Sequence, residues 1–444
     1  MFKNNAVLKW FTRVGAILIG AMAILLVPNL SVFDAELLPE IQTRTATLAE
    51  PDVAGNALSD VYGLASATGM DAAEVGSALL EALHAKKAGG LPASLTAQEA
   101  KTLNGGQNLD KAWQAKYPAA SCNSRSNLDC FYELRAQITE TPQLDARLLS
   151  QLNRYDLIIS KEHFVEDVYV LDYTSPLPHY GLLMQLGRIR AIQEFQRFGF
   201  AGLVESSRID MAFWRMVLAD SQTVIGKMVA QAALRWHLYS LSHAINEEPV
   251  VGDQQRTHLR QILQPLSRDE LDISEAFNAE LLTVVENSDD FLKYLAAQST
   301  LNGFLLSLMS QPVASVNLYY RSSLLPMYGV SKLSGRAFLA EAKRFRKNNK
   351  LSYLNPYNLG GRITLQNPWP LVDYLGRLHD LSGIYSLVSL QLEIKSSTAS
   401  VQDAIAGSSF KNPYTEKPFS YDDVNHTLGF DCFNNRIVCE VVVR

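Results

Sequence analysis

The stretch 179-HYGLLMQLGRIRAIQEFQRFG-199 carries Leu182, Leu186, Ile189, Ile192 and Phe195 at steps of three and four. Apolar residues at that spacing fall on one face of a helix with 3.6 residues per turn, so the segment predicts a core helix that Gly199 stops. The stretch 214-WRMVLADSQTVIGKMVAQAALRWHLYSL-241 follows closely and places Ile225, Val229, Ala232 and Trp236 on one face. Tyr180 to His243 is therefore the strongest helical signal in the chain, and it points to a mainly α fold.

Capping chemistry extends that reading in both directions. Asp71 with Glu74 opens a helix whose stripe is Val75, Leu79, Ala82 and Leu83, and Gly89-Gly90 closes it. Thr96 with Glu99 repeats the pattern, Thr141-Pro142 offers a cap and a first-turn proline, and Ser267 with Glu270 opens a helix running toward Val285. A last long helix is expected through Leu378 to Ser397. Breaks at residues 175–179, 247–253 and 355–370 read as loops, and beyond Gly407 the texture becomes turn-rich and β-like. The expected division is 1–33 for a cytoplasmic tail and membrane anchor, 34–175 and 176–347 for two helical regions, and 348–444 for a loop, a long helix and a C-terminal β-hairpin.

Lys3, Lys9 and Arg13 precede an apolar run from Val14 to Val27 that continues to Phe33. About 20 mostly apolar residues are enough to cross a bilayer. A cleaved signal peptide is the rival reading, but Ala21-Met22-Ala23 would leave too short a hydrophobic region, and cleavage after Ala35 would put Phe33 where a small residue belongs. The segment is therefore expected to be a retained signal anchor. The preceding cations place the N-terminus in the cytoplasm, and the expected location is a bacterial inner membrane with the main body periplasmic.

At 444 residues and 47% apolar the chain has ample material for a packed core. A net charge of −5 gives no global reason to bind nucleic acid. No P-loop, HExxH, GxSxG or GxGxxG is present, so no catalytic, metal or cofactor-binding residue is assigned. Ser408 and Lys411 spell SxxK, but Pro413 breaks the helical turn that such a dyad needs. Glu162, His163, Glu166 and Asp167 read as a solvated acidic turn before a strand-like VYVLDY, with too few ligands for a metal site. Lys343, Arg344, Arg346, Lys347 and Lys350 read as the cationic end of a helix that Asn348-Asn349 cap. Trp214, Arg215, Trp236, His237 and His243 are the candidate cavity or interface residues, although aromatics at helical spacing are usually core.

The four cysteines fall into two local pairs, and on the outer side of a membrane such pairs are expected to be disulfides, Cys122–Cys130 and Cys432–Cys439. In the second, a turn centred on Asn435-Arg436 would set the cysteines opposite each other. Leu428, Phe430, Cys432, Ile437, Cys439, Val441 and Val443 would then share one apolar face.

Residues 412-NPYTEKPFSY-421, followed by DDVNHTLGF, resemble an Asp-Pro-Phe/Tyr-Thr-Gly-Lys-Pro-Leu/Phe-x-Tyr motif that closes many uncharacterised exported bacterial proteins. The resemblance implies a long helix leading into this motif and a terminal hairpin, and it brings no activity with it. Asn412 replaces the motif's Asp and Glu416 its Gly, so a residue suited to a left-handed turn is missing. The helix, proline-rich loop and hairpin are also similar to the C-terminal part of type II secretion pseudopilins, but the N-terminus lacks their processing signature. The expected function is a non-enzymatic envelope component that holds protein partners. The alternative is a periplasmic ligand-binding or hydrolytic protein with a cavity between the central helices.

Overall fold

The computed structural model describes residues 4–48, 55–89, 91, 94–103, 112–122, 129–140, 144–170, 175–288, 309–348, 356–365, 371–434 and 437–443. The described chain is mainly helical. The elements used below are α1 (Asn4–Leu26), α2 (Leu58–Gly63), α3 (Ala72–Ala88), α4 (Cys130–Glu140), α5 (Ala146–Ile159), α6 (Tyr180–Asp220), α7 (Val224–Glu247), α8 (Asp253–Ile262), α9 (Ser274–Glu286), α10 (Pro312–Tyr319), α11 (Gly335–Asn348) and α12 (Leu371–Lys395). Three short strands, β1 (Ser420–Asp422), β2 (Thr427–Gly429) and β3 (Glu440–Val442), form an antiparallel sheet in that order. The expected hairpin is thus β2–β3, and the motif residues Ser420 and Tyr421 add a third strand.

The chain forms two compact units built from non-contiguous stretches. One takes Met1–Leu48, Asn278–Val330 and Ala342–Leu371, and the other takes Ala49–Phe277, Ser331–Glu341 and Val372–Arg444. In the first unit, α1 is long and apolar enough to cross a membrane. The segment that leaves it is tied into the unit by side chain to backbone hydrogen bonds. Asn29 donates to the Pro356 carbonyl at 2.9 Å and accepts from the Asn358 N–H at 2.7 Å. Asp34 accepts the Val313 and Ala314 N–H groups at 3.0 Å each, placing a carboxylate on the first turn of α10 where the helix dipole favours it. Asn317 donates to the Glu36 carbonyl at 2.8 Å and accepts from the Leu38 N–H at 3.1 Å.

In the second unit the caps form as the spacing predicts. Asp71 accepts from the Glu74 N–H at 3.0 Å, and Thr96 and Ser267 form capping boxes with Glu99 and Glu270. The Ser267 helix is shorter than expected, ending at Leu271 before α9 begins at Ser274. The Thr141-Pro142 cap lies outside the described residues, as do Gly90 and Lys350. α2 and α3 pack with backbones in near contact, since a Cβ on Gly76 would meet the Ser59 carbonyl oxygen at 1.7 Å. Arg154 of α5 gathers the loop after α2, donating to the carbonyls of Leu64, Ser66, Ala67 and Met70 at 2.6 to 3.2 Å. One guanidinium thus replaces the ladder that this irregular stretch lacks.

α6 runs through 41 residues, yet Gly199 has φ 64° and ψ −150° inside it. A straight helix would carry Gly187 and Asp210 about 34 Å apart, whereas a Cβ on Gly187 would lie 2.9 Å from Asp210 Oδ2. The element is therefore two antiparallel helices folded back at Gly199, whose left-handed backbone no Cβ-bearing residue adopts easily. α7 departs from its expected face. Ile225 is exposed and Val229 and Ala232 are half-buried, while Val224, Met228, Gln231, Arg235 and Leu238 are buried. α7 is covered on most sides, so the three- and four-residue stripe does not mark its one core face.

Candidate functional site

The α6 hairpin brings together a buried polar cluster that sequence reading missed. Ser207 and Asp210 point from its second arm toward His237 of α7. His237 Nε2 lies 2.8 Å from Asp210 Oδ2, and Nδ1 lies 3.4 Å from Ser207 Oγ. Tyr155 of α5 donates its hydroxyl to Asp210 Oδ1, and burial, with Asp210 beside it, holds that phenol well above its ordinary pKa. Serine, histidine and aspartate are the residue types of acyl transfer. Here, however, Ser207, Asp210 and His237 are 0%, 1% and 2% exposed, so no substrate carbonyl reaches the hydroxyl. The cluster ties α5, the second arm of α6 and α7 together. Its only signal in the sequence is a polar pair at i and i+3 on an apolar helix face.

A groove of about 580 Å³ opens near the hairpin bend, lined by Ile159, Phe198, Gly202 and Ile209 together with Asp156, Arg190, Glu194 and Glu205. Asp156 and Arg190 pair across it, with Nε 3.0 Å from Oδ1. Phe198 is 57% exposed and Ile209 39%, so the groove mixes exposed apolar surface with charged side chains. Binding grooves commonly combine these features.

The five candidate residues between the central helices are placed as packing and pairing groups. Trp214 and Trp236 are both 1% exposed, and the Arg188 guanidinium lies 5.7 Å from a Trp236 ring centroid. Arg215 pairs with Glu270, Nη2 to Oε2 at 2.8 Å, and donates to the Gln264 and Pro265 carbonyls. His237 belongs to the cluster above, and His243 stacks on Phe131 of α4 and meets the Tyr132 ring at a tilt. None of the five lines the groove near Gly199.

The acidic stretch around His163 is solvated only in its first half: Glu162 and His163 are exposed, whereas the next two acids are not. Glu166 and Asp167 are 4% and 5% exposed. Glu166 accepts from the hydroxyls of Tyr180, Ser221 and Thr223 and from the Thr223 N–H, pinning its loop to the corner between α6 and α7. A Cβ on Gly226 would meet Ser221 Oγ at 2.0 Å, which is why that corner needs glycine. Asp167 pairs with His84 of α3 at 2.6 Å. Val168–Val170 forms a 3₁₀ turn where strand-like alternation had suggested a β-strand; the rest of VYVLDY lies outside the described residues. Lys227, 1% exposed, donates to the Leu218 and Ala219 carbonyls, and burial lowers its pKa to about 8. Ser408 ends a short helix and donates to Glu393 at 2.9 Å, so no helical turn joins it to Lys411.

Both expected disulfides are formed, Cys122–Cys130 and Cys432–Cys439. Arg188 holds the first, donating to the Ala120 and Cys122 carbonyls at 2.8 and 2.9 Å, and burial lowers its pKa to about 10. The second loop departs from its expected register. The β2–β3 ladder pairs Leu428 with Val441 and Gly429 with Glu440, and the Phe430 N–H donates to Cys439. At the tip, the Ile437 N–H bonds the Asn434 carbonyl, so the turn lies where expected, with its two central residues outside the described set. Residues 431–433 thus face Val438 alone, two more than a regular ladder takes, and they bulge, leaving Cys432 half-buried while Cys439 is 4% exposed. The cause is Asp380 of α12, whose Oδ1 takes the Phe433 N–H at 2.8 Å and the Tyr414 hydroxyl at 2.6 Å. Asp380 is 0% exposed, and desolvation raises its carboxyl to about 6 against those hydrogen bonds and the charge of Arg235. Burial pushes neighbouring His379 down to about 4, which keeps it neutral.

In the motif that precedes the sheet, Asn412 accepts from the Tyr414 and Thr415 N–H groups, and Glu416 takes φ 58°. The left-handed position is thus filled by a residue with a Cβ. Comparison with protein-family models, with curated proteins and with solved structures found no match.

Proposed function

We propose that the chain is a single-pass, membrane-anchored protein of the bacterial cell envelope whose disulfide-bearing body lies outside the cytoplasm and holds protein partners. The observation that carries the reading is the tie between residues 29–38 and the first unit. Cleavage after Ala23 would remove the apolar helix, and cleavage after Ala35 would also strip Asn29 and Asp34 from Asn358 and the first turn of α10. A fold that uses this segment to satisfy buried backbone groups favours a retained anchor. The two disulfides favour an oxidising compartment. Among the described residues, the groove near Gly199 offers exposed apolar side chains that a partner could cover.

The ligand-binding or hydrolytic alternative rests on the same groove. It draws less support, because it asks for His237 or His243 in an open cavity and neither lines this one. The test is to wash native membranes with alkaline carbonate, determine the intact mass, and crosslink before extraction. The anchored reading expects retention in the membrane, a mass that includes the apolar segment, and a second protein crosslinked to the chain. A soluble product beginning after Ala23 or Ala35 would sink it. Recovery of the chain alone, with turnover of an ester or peptide panel, would favour the alternative.

A further inference from the structure

The C-terminal disulfide stands in unusual company. One carboxylate oxygen of Asp380 and the sulfurs of Cys432 and Cys439 all lie within 4.8 Å of one another. The two sulfurs are bonded to each other, so they are not thiolates and offer no metal site in this state. The loop that carries them is displaced from the ladder so that Phe433 can reach Asp380. The wholly buried Asp380 carboxyl accepts from Tyr414 and Phe433 at Oδ1, and the Asn434 N–H also faces it. A wholly buried carboxyl with an oxygen within 4.8 Å of both sulfurs of a disulfide is placed to exchange a proton with sulfur.

We propose that Cys432, Cys439 and Asp380 form a thiol–disulfide exchange site that reacts with dithiols, with Asp380 as the proton donor and acceptor for Cys439. Access sets the direction, since Cys432 is half-buried and Cys439 is not reachable from outside. An external thiolate attacks the Cys432 sulfur in line with the S–S bond. A mixed disulfide forms, the Cys432–Cys439 bond breaks, and the electron pair leaves on Cys439. The protonated Asp380 carboxyl transfers its proton to the Cys439 thiolate and becomes a carboxylate. The second thiol of the reagent, as thiolate, then attacks the reagent's own sulfur in the mixed disulfide and expels Cys432 as thiolate, which takes a proton from water. The dithiol is oxidised by two electrons and the protein disulfide reduced by two; in reverse, the Asp380 carboxylate takes the proton from Cys439.

The groups around this carboxyl set its pH response. Tyr414 donates to it from the motif loop, and Arg235 and Tyr239 face it from α7. His379 adjoins it on α12, and Glu440 acts on Tyr239 from β3. His379 is held neutral and Tyr239 is held well above its ordinary pKa, so Asp380 is the group of this set that changes charge near pH 6. The proposal reads only this C-terminal chemistry and is independent of the anchored reading above.

The test follows opening of the Cys432–Cys439 bond by dithiothreitol in the full-length protein without denaturant, using alkylation and peptide mass to separate it from Cys122–Cys130. The rate per dithiothreitol thiolate should rise about tenfold or more from pH 8 to pH 5, following the acid form of Asp380. Asp380→Asn, which keeps an oxygen for Tyr414 and Phe433, should flatten that profile. Incubated with a small disulfide, Cys439→Ser should exchange to a stable mixed disulfide at Cys432 and release one small thiol, while Cys432→Ser should leave Cys439 unlabelled. A bond that opens only when the protein unfolds would overturn the proposal, and so would an Asp380→Asn profile identical to that of the parent protein.

Discussion

The two disulfide loops are close in size and opposite in setting. Cys122–Cys130 spans a sequence separation of 8 and Cys432–Cys439 one of 7, so the chain-entropy model assigns each about 2.5 kcal/mol. The first is gripped by a buried cation, Arg188, through two carbonyls, and the second by a buried acid, Asp380, through an N–H. The guanidinium has no proton to give at physiological pH and serves as a fixed clamp. The carboxyl titrates within reach of the sulfurs. Equal loops thus become a staple in one place and a candidate reactive bond in the other, because their neighbours differ.

The sharpest way to break the comparison is to remove the clamp. Arg188→Ala should cost about 3–4 kcal/mol in chemical denaturation, since two loop carbonyls lose their donor and Trp236 loses its cover. Replacing each cysteine pair by serines comes next, with about 2–3 kcal/mol expected for either loop. Comparing the two double variants then isolates the surroundings, and a difference well beyond that range would show that Arg188 or Asp380 does more than position a loop.

A smaller effect is tied to pH. The Asp380 carboxyl is raised from 3.8 to about 6, so the folded state prefers the acid form. The stability this contributes is present at acid pH and is lost as pH rises through 6. The parent protein should therefore lose about 1.4 kcal/mol relative to Asp380→Asn between pH 5 and pH 8, read from unfolding midpoints at both values. A constant difference across that range would mean that Asp380 does not titrate there. The smallest effect lies at Glu416, whose φ of 58° suits glycine. Glu416→Gly should leave stability unchanged or raise it by up to about 1 kcal/mol, where a surface substitution to glycine normally costs.

What could be read from the sequence follows the range of the interactions involved. The caps at Asp71, Thr96 and Ser267, the stop at Gly199 and the stripe of Leu182, Leu186 and Ile189 depend on neighbours within one or two turns, and each is found as expected. The cysteine pairing was legible for the same reason. What escaped depends on distant partners. The register of the last strand is set by Asp380, 53 residues from Phe433. Glu166 is buried by a corner 57 residues away. Ser207, Asp210 and His237 meet only because α6 reverses, and a stop at Gly199 does not announce where the chain goes next. The candidate groove is of the same kind, since Phe198 and Ile209 come from opposite sides of Gly199 and line one groove only because the chain reverses there.

The tie after α1 also fixes a length. Asn29, which is bonded into the unit, lies three residues past Leu26, the last of the helix. Three residues reach at most about 10 Å even when fully extended. A protein on a flexible stalk of some tens of residues sweeps a wide volume in search of its partners. This first unit has no such freedom: anchored as proposed, it sits at the bilayer surface like a fitting bolted to a wall, and whatever it holds must come to the membrane to be held.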